Sequence, residues 1–395
     1  MDWLDWLLSP VAPAAFVDEY WEAAPLLVSR GKPEYFADLP GLDAVDELIG
    51  ATVASRERPA DGERVVRSEP DGTLTERAVP VGADGAPDVQ AVYREYHQGF
   101  TIVVNQVHRR SAAVGRLCRG LRAALHHPVG ANLYLTPAGA QGFLPHVDTH
   151  DVFIAQLHGT KEWHVASPAA ALPLARERRG PQRLGEAERY ALTPGDTLYL
   201  PRGFPHEAVT GDTSSLHLTI GIHAYRWSDL LADALDLLAA DDVAFRRALP
   251  PGHLDAPLDA GYAAELAGRL ATALAGDGLA ERARDGLGAR LVAGDTAADR
   301  GRFRSLDALA GLTGDSVVVR PPELLSRVRT TADRAVIEFA GNFVTGPPHL
   351  EAALAFVARH ERFAVAELPG ELSPEDRVDL VSRLVSEGLL EVESA

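Results

Sequence analysis

Two histidines and one aspartate have the spacing of a metal-binding set. His146 and Asp148 stand two residues apart in FLPHVDTHD, and positions i and i+2 of a strand point to the same face. His206 follows in TPGDTLYLPRGFPHEA, where the Pro-Arg-Gly-Phe-Pro bend can turn the chain back towards the first pair. Two imidazoles and one carboxylate leave coordination positions open, which suits non-haem Fe(II) and oxygen chemistry. Zinc or manganese could occupy the same ligands, since affinity alone does not select iron.

Lys161 is the candidate for binding a second reactant. It lies 15 residues after His146 and is one of two lysines among 38 basic residues. A lysine at the base of a barrel would pair with the far carboxylate of 2-oxoglutarate while the keto acid end chelates iron. Asn132 and Tyr134 share a face of ANLYLTP and would add hydrogen bonds there, and His217 would orient an iron ligand or the oxoglutarate. The alternatives are a solvated turn lysine, an ordinary strand with an outward tyrosine and a histidine that only lines the barrel.

Short strands must position these residues. From about 129 to 225, Gly/Pro turns separate short alternating segments, which is typical of an antiparallel barrel or jelly roll. Helical patterns with apolar 3-4 spacing follow, and the last segment has the strand, helix, helix, strand order of a winged helix. The predicted division is therefore an α/β lead-in (1–125), a barrel core (126–226), a helical region (227–300) and a winged-helix-like domain (301–395).

Composition excludes several classes of protein. Hydrophobic residues make up 46% of the 395 residues, and the mean hydropathy of -0.07 is that of a soluble globular chain. The single Cys118 excludes an internal disulfide and a zinc site built from several thiolates. The net charge of -18 disfavours DNA and favours a basic partner. No apolar run reaches the roughly 18 residues of a membrane span, and MDWLDWLLSP lacks the basic head of a signal peptide, so we expect a cytoplasmic protein.

Three segments resemble the ribosomal oxygenases of the JmjC/cupin superfamily. They are YWEAAPLLVSRG, NLYLTPAGAQGFLPHVDTHDVFIAQLHGTKEWHV and LYLPRGFPHEA, in the family's order. Members are Fe(II)- and 2-oxoglutarate-dependent hydroxylases with a double-stranded β-helix, a helical dimerisation region and a C-terminal winged-helix domain. The resemblance therefore implies an α+β protein of this architecture. The family's iron ligands, its basic anchor and its Asn-x-Tyr pair fall on His146, Asp148, His206, Lys161, Asn132 and Tyr134.

The resemblance also implies an activity. Family members use Fe(II), 2-oxoglutarate and O2 to hydroxylate an unactivated carbon of an Arg or His side chain in a ribosomal protein, and the acidic chain suits such a basic substrate. The alternatives are a hydroxylase of a peptide natural product or amino acid, a JmjC demethylase, and a metal-binding cupin or winged-helix regulator without enzyme activity. The helical faces at 228–287 predict a homodimer, with intramolecular packing as the alternative.

Overall fold

We describe a computed structural model of the chain over residues 2–50, 63–69, 71–82, 86–168, 170–174, 184–276, 278–295 and 301–393. The chain divides into two compact units, Met1–Ala224 and Tyr225–Ala395. Residues 57–90 are rich in Gly, Pro and Asp, which predicts loops, and part of this segment lies outside the described residues. No helix in the described ranges combines the length and apolar character that a bilayer crossing requires.

The helices of the first unit are short, and side chains cap some of them. The helices are α1 (Trp3–Leu8), α2 (Pro13–Glu19), α3 (Leu42–Gly50), α4 (Val89–His97) and α5 (Ala112–Leu125). At the start of α1, the carboxylate of Asp2 accepts a hydrogen bond from the backbone N–H of Leu4 at 3.0 Å. The segment SAAVGRLCRGLRAAL has a helical pattern, and Ser111 caps α5 at its start. The segment FVDEYWEAAPLLVSR predicts a helix that ends near Pro25, but α2 already ends at Glu19.

Antiparallel strands build the rest of the first unit. They are β1 (Leu26–Val28), β2 (Arg64–Ser68), β3 (Leu74–Ala78), β4 (Thr101–Val104), β5 (Val129–Thr136), β6 (Asp151–His158), β7 (Lys161–Ala166), β8 (Ala187–Leu192), β9 (Thr197–Leu200), β10 (His206–Thr210) and β11 (Ser215–Ile222). The larger sheet has the order β1-β9-β6-β11-β5-β4-β2-β3, and the smaller sheet has the order β10-β7-β8. Long crossovers between non-consecutive strands are the topology of a jelly roll, as the strand pattern predicts.

A buried apolar cluster lies between the two sheets. Ile154 and Leu198 from the larger sheet pack with Trp163, Val165 and Leu192 from the smaller sheet, and all five are buried. The α-helices and a second buried cluster cover the outer face of the larger sheet. Burial of these apolar surfaces holds the sheets face to face and leaves the space between them for the polar residues described below.

The second unit contains helices and two small sheets. Its helices are α6 (Trp227–Asp241), α7 (Ala260–Gly276), α8 (Leu279–Ala293), α9 (Arg302–Ala308), α10 (Glu351–Arg359) and α11 (Pro374–Glu387). Its strands are β12 (Val317–Val319), β13 (Ser326–Thr330), β14 (Ala335–Phe339), β15 (Asn342–Gly346), β16 (Arg362–Ala364) and β17 (Glu391–Val392). They form the sheets β16-β12-β17 and β13-β14-β15. The strand-like run AVIEFAGNFV is a hairpin, because Ala340 and Gly341 both adopt positive φ, of 44° and 71°, which turns the chain between β14 and β15.

Candidate active site

Three side chains converge in the space between the sheets. Suitable ligand atoms of His146, Asp148 and His206 all lie within 4.8 Å of one another, and the described residues contain no second group of three such side chains this close. Nε2 of His206 lies 3.7 Å from Oδ2 of Asp148. The ring centroids of the two histidines are 4.4 Å apart. This donor set, two imidazoles and one carboxylate, fits a single divalent metal ion.

A backbone bridge brings the two histidines together. The N–H of His146 donates to the carbonyl of His206 at 3.0 Å, and the N–H of His206 donates to the carbonyl of His146 at 2.9 Å. Residues paired in this way have Cα atoms about 5.5 Å apart, so both rings can reach one ion. The predicted strand through His146 and Asp148 is wrong, because these residues lie in an irregular segment where this isolated bridge replaces a continuous ladder.

Each metal-site histidine is held in one tautomer. Nδ1 of His146 donates to the carbonyl of Leu144 at 2.9 Å, and Nδ1 of His206 donates to the carbonyl of Phe204 at 2.9 Å. With the proton on Nδ1, the lone pair on Nε2 is free to bind a metal. Burial and the neighbouring His146 lower the pKa of His206 to about 4, so that ligand is neutral at pH 7.

Asp148 supplies the negative charge of the site. Its removal from water raises the pKa of its carboxyl group, but the imidazoles around it have the larger combined effect, and its pKa is below the usual value. These imidazoles belong to His206, His150, His146 and His223. The carboxylate is therefore ionised at neutral pH and available as an anionic ligand.

Lys161 is a buried amine without an acidic partner in the described part of the chain. Its residue is 5% exposed, and Nζ donates to Oγ1 of Thr136 at 3.0 Å. Burial alone lowers the pKa of Lys161 to about 7. It is the first residue of β7 and faces the interior, so it is not a solvated turn lysine. A buried cation that lacks a carboxylate is ready to receive an anionic ligand.

The other predicted cavity residues make fixed contacts. Oδ1 of Asn132 accepts a hydrogen bond from the backbone N–H of Gln106 at 2.8 Å, so this amide also holds a loop in place. The Tyr134 ring stacks on His217 with centroids 4.9 Å apart. His217 is buried, and its Nδ1 has no hydrogen-bond partner among the described residues. Burial, and then the charge of Lys161, lower the pKa of His217 well below its usual value, so the ring is neutral.

One cavity of about 550 Å³ contains every predicted site residue. These residues are His146, Asp148, His206, Lys161, Asn132, Tyr134 and His217. The sequence interpretation missed Arg64, His108, Arg109 and His223, which line the same cavity. They come from β2, from the turn before α5 and from the end of β11, so only the tertiary fold brings them to the site. His150, whose proximity to Asp148 suggests a place at the mouth, also lines it.

The cavity lining is rich in cations and imidazoles. Arg64, Arg109 and Lys161 line it together with six histidines, whereas the only carboxylate among its described lining residues belongs to Asp148. Nδ1 of His108 accepts a hydrogen bond from the N–H of Ala131 at 3.0 Å, which leaves the proton on Nε2. The site therefore offers hydrogen-bond donors and positive charge outside the metal set.

A family model identifies the segment that contains this cavity's metal set. Residues 106–230 match the family model of the JmjC domain. Residues 106–230 form a JmjC domain. The match confirms the family predicted from the motifs around His146 and His206, and the JmjC domain includes Lys161.

Curated relatives match about 62% of the chain. Ribosomal oxygenase 1 of Gallus gallus is 36% identical over 256 residues, which are 62% of this chain and 41% of that protein. Ribosomal oxygenase 2 of Mus musculus is 34% identical over 258 residues, 62% of this chain and 53% of that protein. The bifunctional lysine-specific demethylase and histidyl-hydroxylase NO66 of Drosophila willistoni is 31% identical, with 62% and 33% covered. The chain thus spans about half or less of the length of these relatives.

A solved structure shares the fold over nearly the whole chain. YcfD, a ribosomal oxygenase from Escherichia coli, in complex with cobalt and 2-oxoglutarate, aligns with a TM-score of 0.59 and 18% identity. The alignment covers 98% of this chain and 99% of YcfD. The chain therefore shares the fold of YcfD over nearly its whole length, with a JmjC/cupin core, helices and antiparallel sheets.

Proposed function

We propose that this protein is an Fe(II)- and 2-oxoglutarate-dependent oxygenase that hydroxylates a side-chain carbon of a protein, with a ribosomal protein as substrate. One observation carries the proposal. His146, Asp148 and His206 have ligand atoms within 4.8 Å of one another, in the cavity that also contains the unpaired amine of Lys161. The relatives include ribosomal oxygenases and a histidyl-hydroxylase, which supports the activity and the substrate class.

Different residues of the JmjC domain would bind the iron and the 2-oxoglutarate. His146, Asp148 and His206 would hold the iron, and Lys161 would bind the far carboxylate of 2-oxoglutarate. When bound, iron and 2-oxoglutarate activate O2 and insert one oxygen atom into a C–H bond, with succinate and CO2 as products. Thr136 holds Nζ of Lys161 at 3.0 Å and so orients the cation before the co-substrate enters. Tyr134 and His217 form one wall beside it.

The charge of the cavity favours a histidine side chain as the target. A guanidinium loses its hydration on entering a buried site and needs a carboxylate to compensate. Asp148 supplies the only lining carboxylate among the described residues, and the proposed metal occupies it. An imidazole is mostly neutral at pH 7 and can accept a hydrogen bond from a donor such as Nε2 of His108. We therefore propose histidine rather than arginine as the hydroxylated residue.

Matched peptides test this preference. Peptides from ribosomal proteins that differ only in a central His, Arg or N-methyl-lysine are incubated with enzyme, Fe(II) and 2-oxoglutarate. We expect the His peptide to react at least about tenfold faster than the Arg peptide, because a buried guanidinium would lack a counter-ion. Mass spectrometry detects the added oxygen atom, and formaldehyde release would reveal demethylation. Faster turnover of the Arg peptide would contradict the assignment.

We also propose that α6 forms a homodimer interface. Trp227, Leu231 and Leu235 are exposed by 81%, 44% and 41%. They are spaced four residues apart and therefore lie on one face of the helix. An adjacent side of α6 packs inward, because Ala234 lies in a buried cluster with residues of α7 and α8. Three large apolar side chains in one exposed row are typical of an interaction surface.

Charges placed on this row should separate the dimer. We expect the wild type to have twice the monomer mass of 42.3 kDa. The double variant Leu231→Glu/Leu235→Glu should have the monomer mass, because four buried carboxylates would face one another across the interface. Light scattering after size exclusion measures both. Leu254→Glu, at an exposed position outside α6, is the matched control and should remain dimeric. A monomeric wild type would refute the interface.

We propose that residues 301–395 form a winged-helix-like domain. Helices α10 and α11 pack with the β16-β12-β17 sheet around a buried core that includes Val318, Leu354, Phe363 and Leu384. The sequence pattern predicts the order strand, helix, helix, strand, and the structure adds β16 between α10 and α11. The segments 1–125, 126–226 and 227–300 remain the proposed division of the preceding chain.

A further inference from the structure

A buried ion pair joins the bend between β9 and β10 to the first residue of β6. Nη1 of Arg202 donates to Oδ2 of Asp151 at 2.6 Å, and the backbone N–H of Arg202 donates to Oδ1 of the same carboxylate at 3.0 Å. Asp151 is 0% exposed and Arg202 is 5% exposed. Both oxygens of a fully buried carboxylate are thus bound to one residue of the bend, which fixes its backbone as well as its side chain.

Other contacts extend this pair into a network. The hydroxyl of Tyr199 donates to Oδ1 of Asp151 at 3.3 Å, and the backbone N–H of Glu22 donates to that hydroxyl at 3.1 Å. Nη2 of Arg202 pairs with the carboxylate of Glu22. The guanidinium therefore has two arms: an inner arm on Asp151 and an outer arm on Glu22. A lysine at position 202 would keep the charge but could not reproduce both arms and their planar geometry.

This network joins the two segments that carry metal-site residues. Asp151 follows Asp148 by three residues, and Arg202 precedes His206 by four. The segments also meet at a second point, where the N–H of Gly203 donates to the carbonyl of Asp148 at 2.9 Å. Gly203 has a φ of 95°, and a Cβ there would lie 2.8 Å from Cδ of Pro173, so the bend has little room for another shape.

The contribution of this ion pair to the stability of the fold does not explain why it is present. A buried ion pair stabilises a fold little more than apolar side chains of the same volume, because both charges lose their hydration. Its directional hydrogen bonds do fix one arrangement of the backbone. Here the arrangement that they fix is the spacing between the Asp148 and His206 segments.

We propose that Arg202 is a positioning residue for the metal centre, and that its pair with Asp151 holds the Asp148 and His206 segments at metal-binding distance. Arg202 does not line the cavity and acts through the backbone. The inference rests on the proposed function, since it requires that His146, Asp148 and His206 bind a divalent metal.

Arg30 provides a matched control for the test. Nε of Arg30 donates to the carbonyl of Ser9 at 2.8 Å, and Nη1 donates to the carbonyl of Gly195 at 2.8 Å. Arg30 is thus a partly buried arginine that ties the chain near the start of β9, whereas Arg202 ties it just beyond the end of β9. The variants Arg202→Lys and Arg30→Lys each replace a guanidinium group with an amine, at opposite ends of β9.

Titration of the metal-free full chain with Co(II), followed by absorbance, gives the affinity without reference to activity. We expect Arg202→Lys to weaken Co(II) binding roughly tenfold or more, as for other residues that orient metal ligands. Arg30→Lys should lower the melting temperature but leave the Co(II) affinity unchanged. In hydrogen exchange, the amides of Gly203 and His206 should exchange faster in Arg202→Lys than in Arg30→Lys.

The results of the Co(II) titration distinguish a failure of this inference from a failure of the proposed function. A wild type that binds no Co(II) removes the metal centre and the inference with it. A wild type that binds Co(II), with unchanged affinity in Arg202→Lys, overturns the positioning role alone. If Arg202→Lys does not fold, Asp151→Asn decides, because it keeps the size of the side chain and removes the charge of the inner arm. Weaker Co(II) binding in Asp151→Asn supports the role, and wild-type affinity in that variant refutes it.

Discussion

Asp148→Ala is expected to reduce succinate formation from 2-oxoglutarate by at least about 1,000-fold, a loss of about 4 kcal/mol of transition-state stabilisation. Asp148 is the only anionic member of the metal set. Its ionised carboxylate lies 3.7 Å from the neutral Nε2 of His206, and no other lining carboxylate among the described residues can replace it. Succinate measured with and without peptide substrate tests the prediction.

Asp71→Ala is the control for this variant. Asp71 is an exposed carboxylate that accepts a hydrogen bond from Thr73 in a surface turn and does not line the cavity. Its removal should leave succinate formation and Co(II) affinity unchanged. Asp148→Ala should also lose high-affinity Co(II) binding while it keeps the wild-type circular dichroism spectrum. Undiminished succinate formation in folded Asp148→Ala would rule out the proposed metal centre.

Lys161→Met should raise the KM for 2-oxoglutarate about 100-fold or more, because the far carboxylate would lose the buried amine that is proposed to bind it. The same variant should raise the melting temperature of the metal-free protein. A buried amine without an acidic partner among the described residues costs free energy of folding, and methionine fills a similar volume without charge. These opposite effects distinguish an anion-binding lysine from a purely structural one. A lower melting temperature with an unchanged KM would contradict the role of Lys161.

The pH dependence of oxoglutarate binding provides a second measurement on Lys161. Burial lowers its pKa to about 7 in the free protein. Below that pH the amine is charged and ready to bind the anion, whereas above it a proton must be taken up on binding. The affinity should therefore fall as pH rises above 7, by up to about tenfold per unit. Lys161→Arg keeps its charge throughout this range and should remove the dependence.

The metal set could be predicted from sequence because its members lie in short motifs. The His-x-Asp spacing and the Pro-Arg-Gly-Phe-Pro bend before His206 are local features, and the scarcity of lysine drew attention to Lys161. The conformation at His146 could not be predicted, because the isolated bridge to His206 joins residues 60 positions apart. Periodicity within one segment contains no information about such a pairing.

The other residues that line the cavity could not be predicted from local sequence either. His108 and Arg109 lie in a turn before α5, and His223 lies just after β11, so neither local sequence resembles a ligand motif. Their place in the cavity depends on how β5 packs beside that turn, where Ala131 binds His108. The sequence pattern also did not separate the two strands in AVIEFAGNFV. The turn between them, at Ala340 and Gly341, contains no proline and no polar cluster.

The reciprocal bridge between His146 and His206 consists entirely of main-chain groups. These hydrogen bonds do not depend on the imidazole rings of His146 and His206 or on a bound ion. If the proposed metal is removed, both imidazoles should therefore remain side by side, and we expect the apoprotein to take up the metal again with little reorganisation. Such a centre would differ from sites whose ligands come together only when the ion arrives.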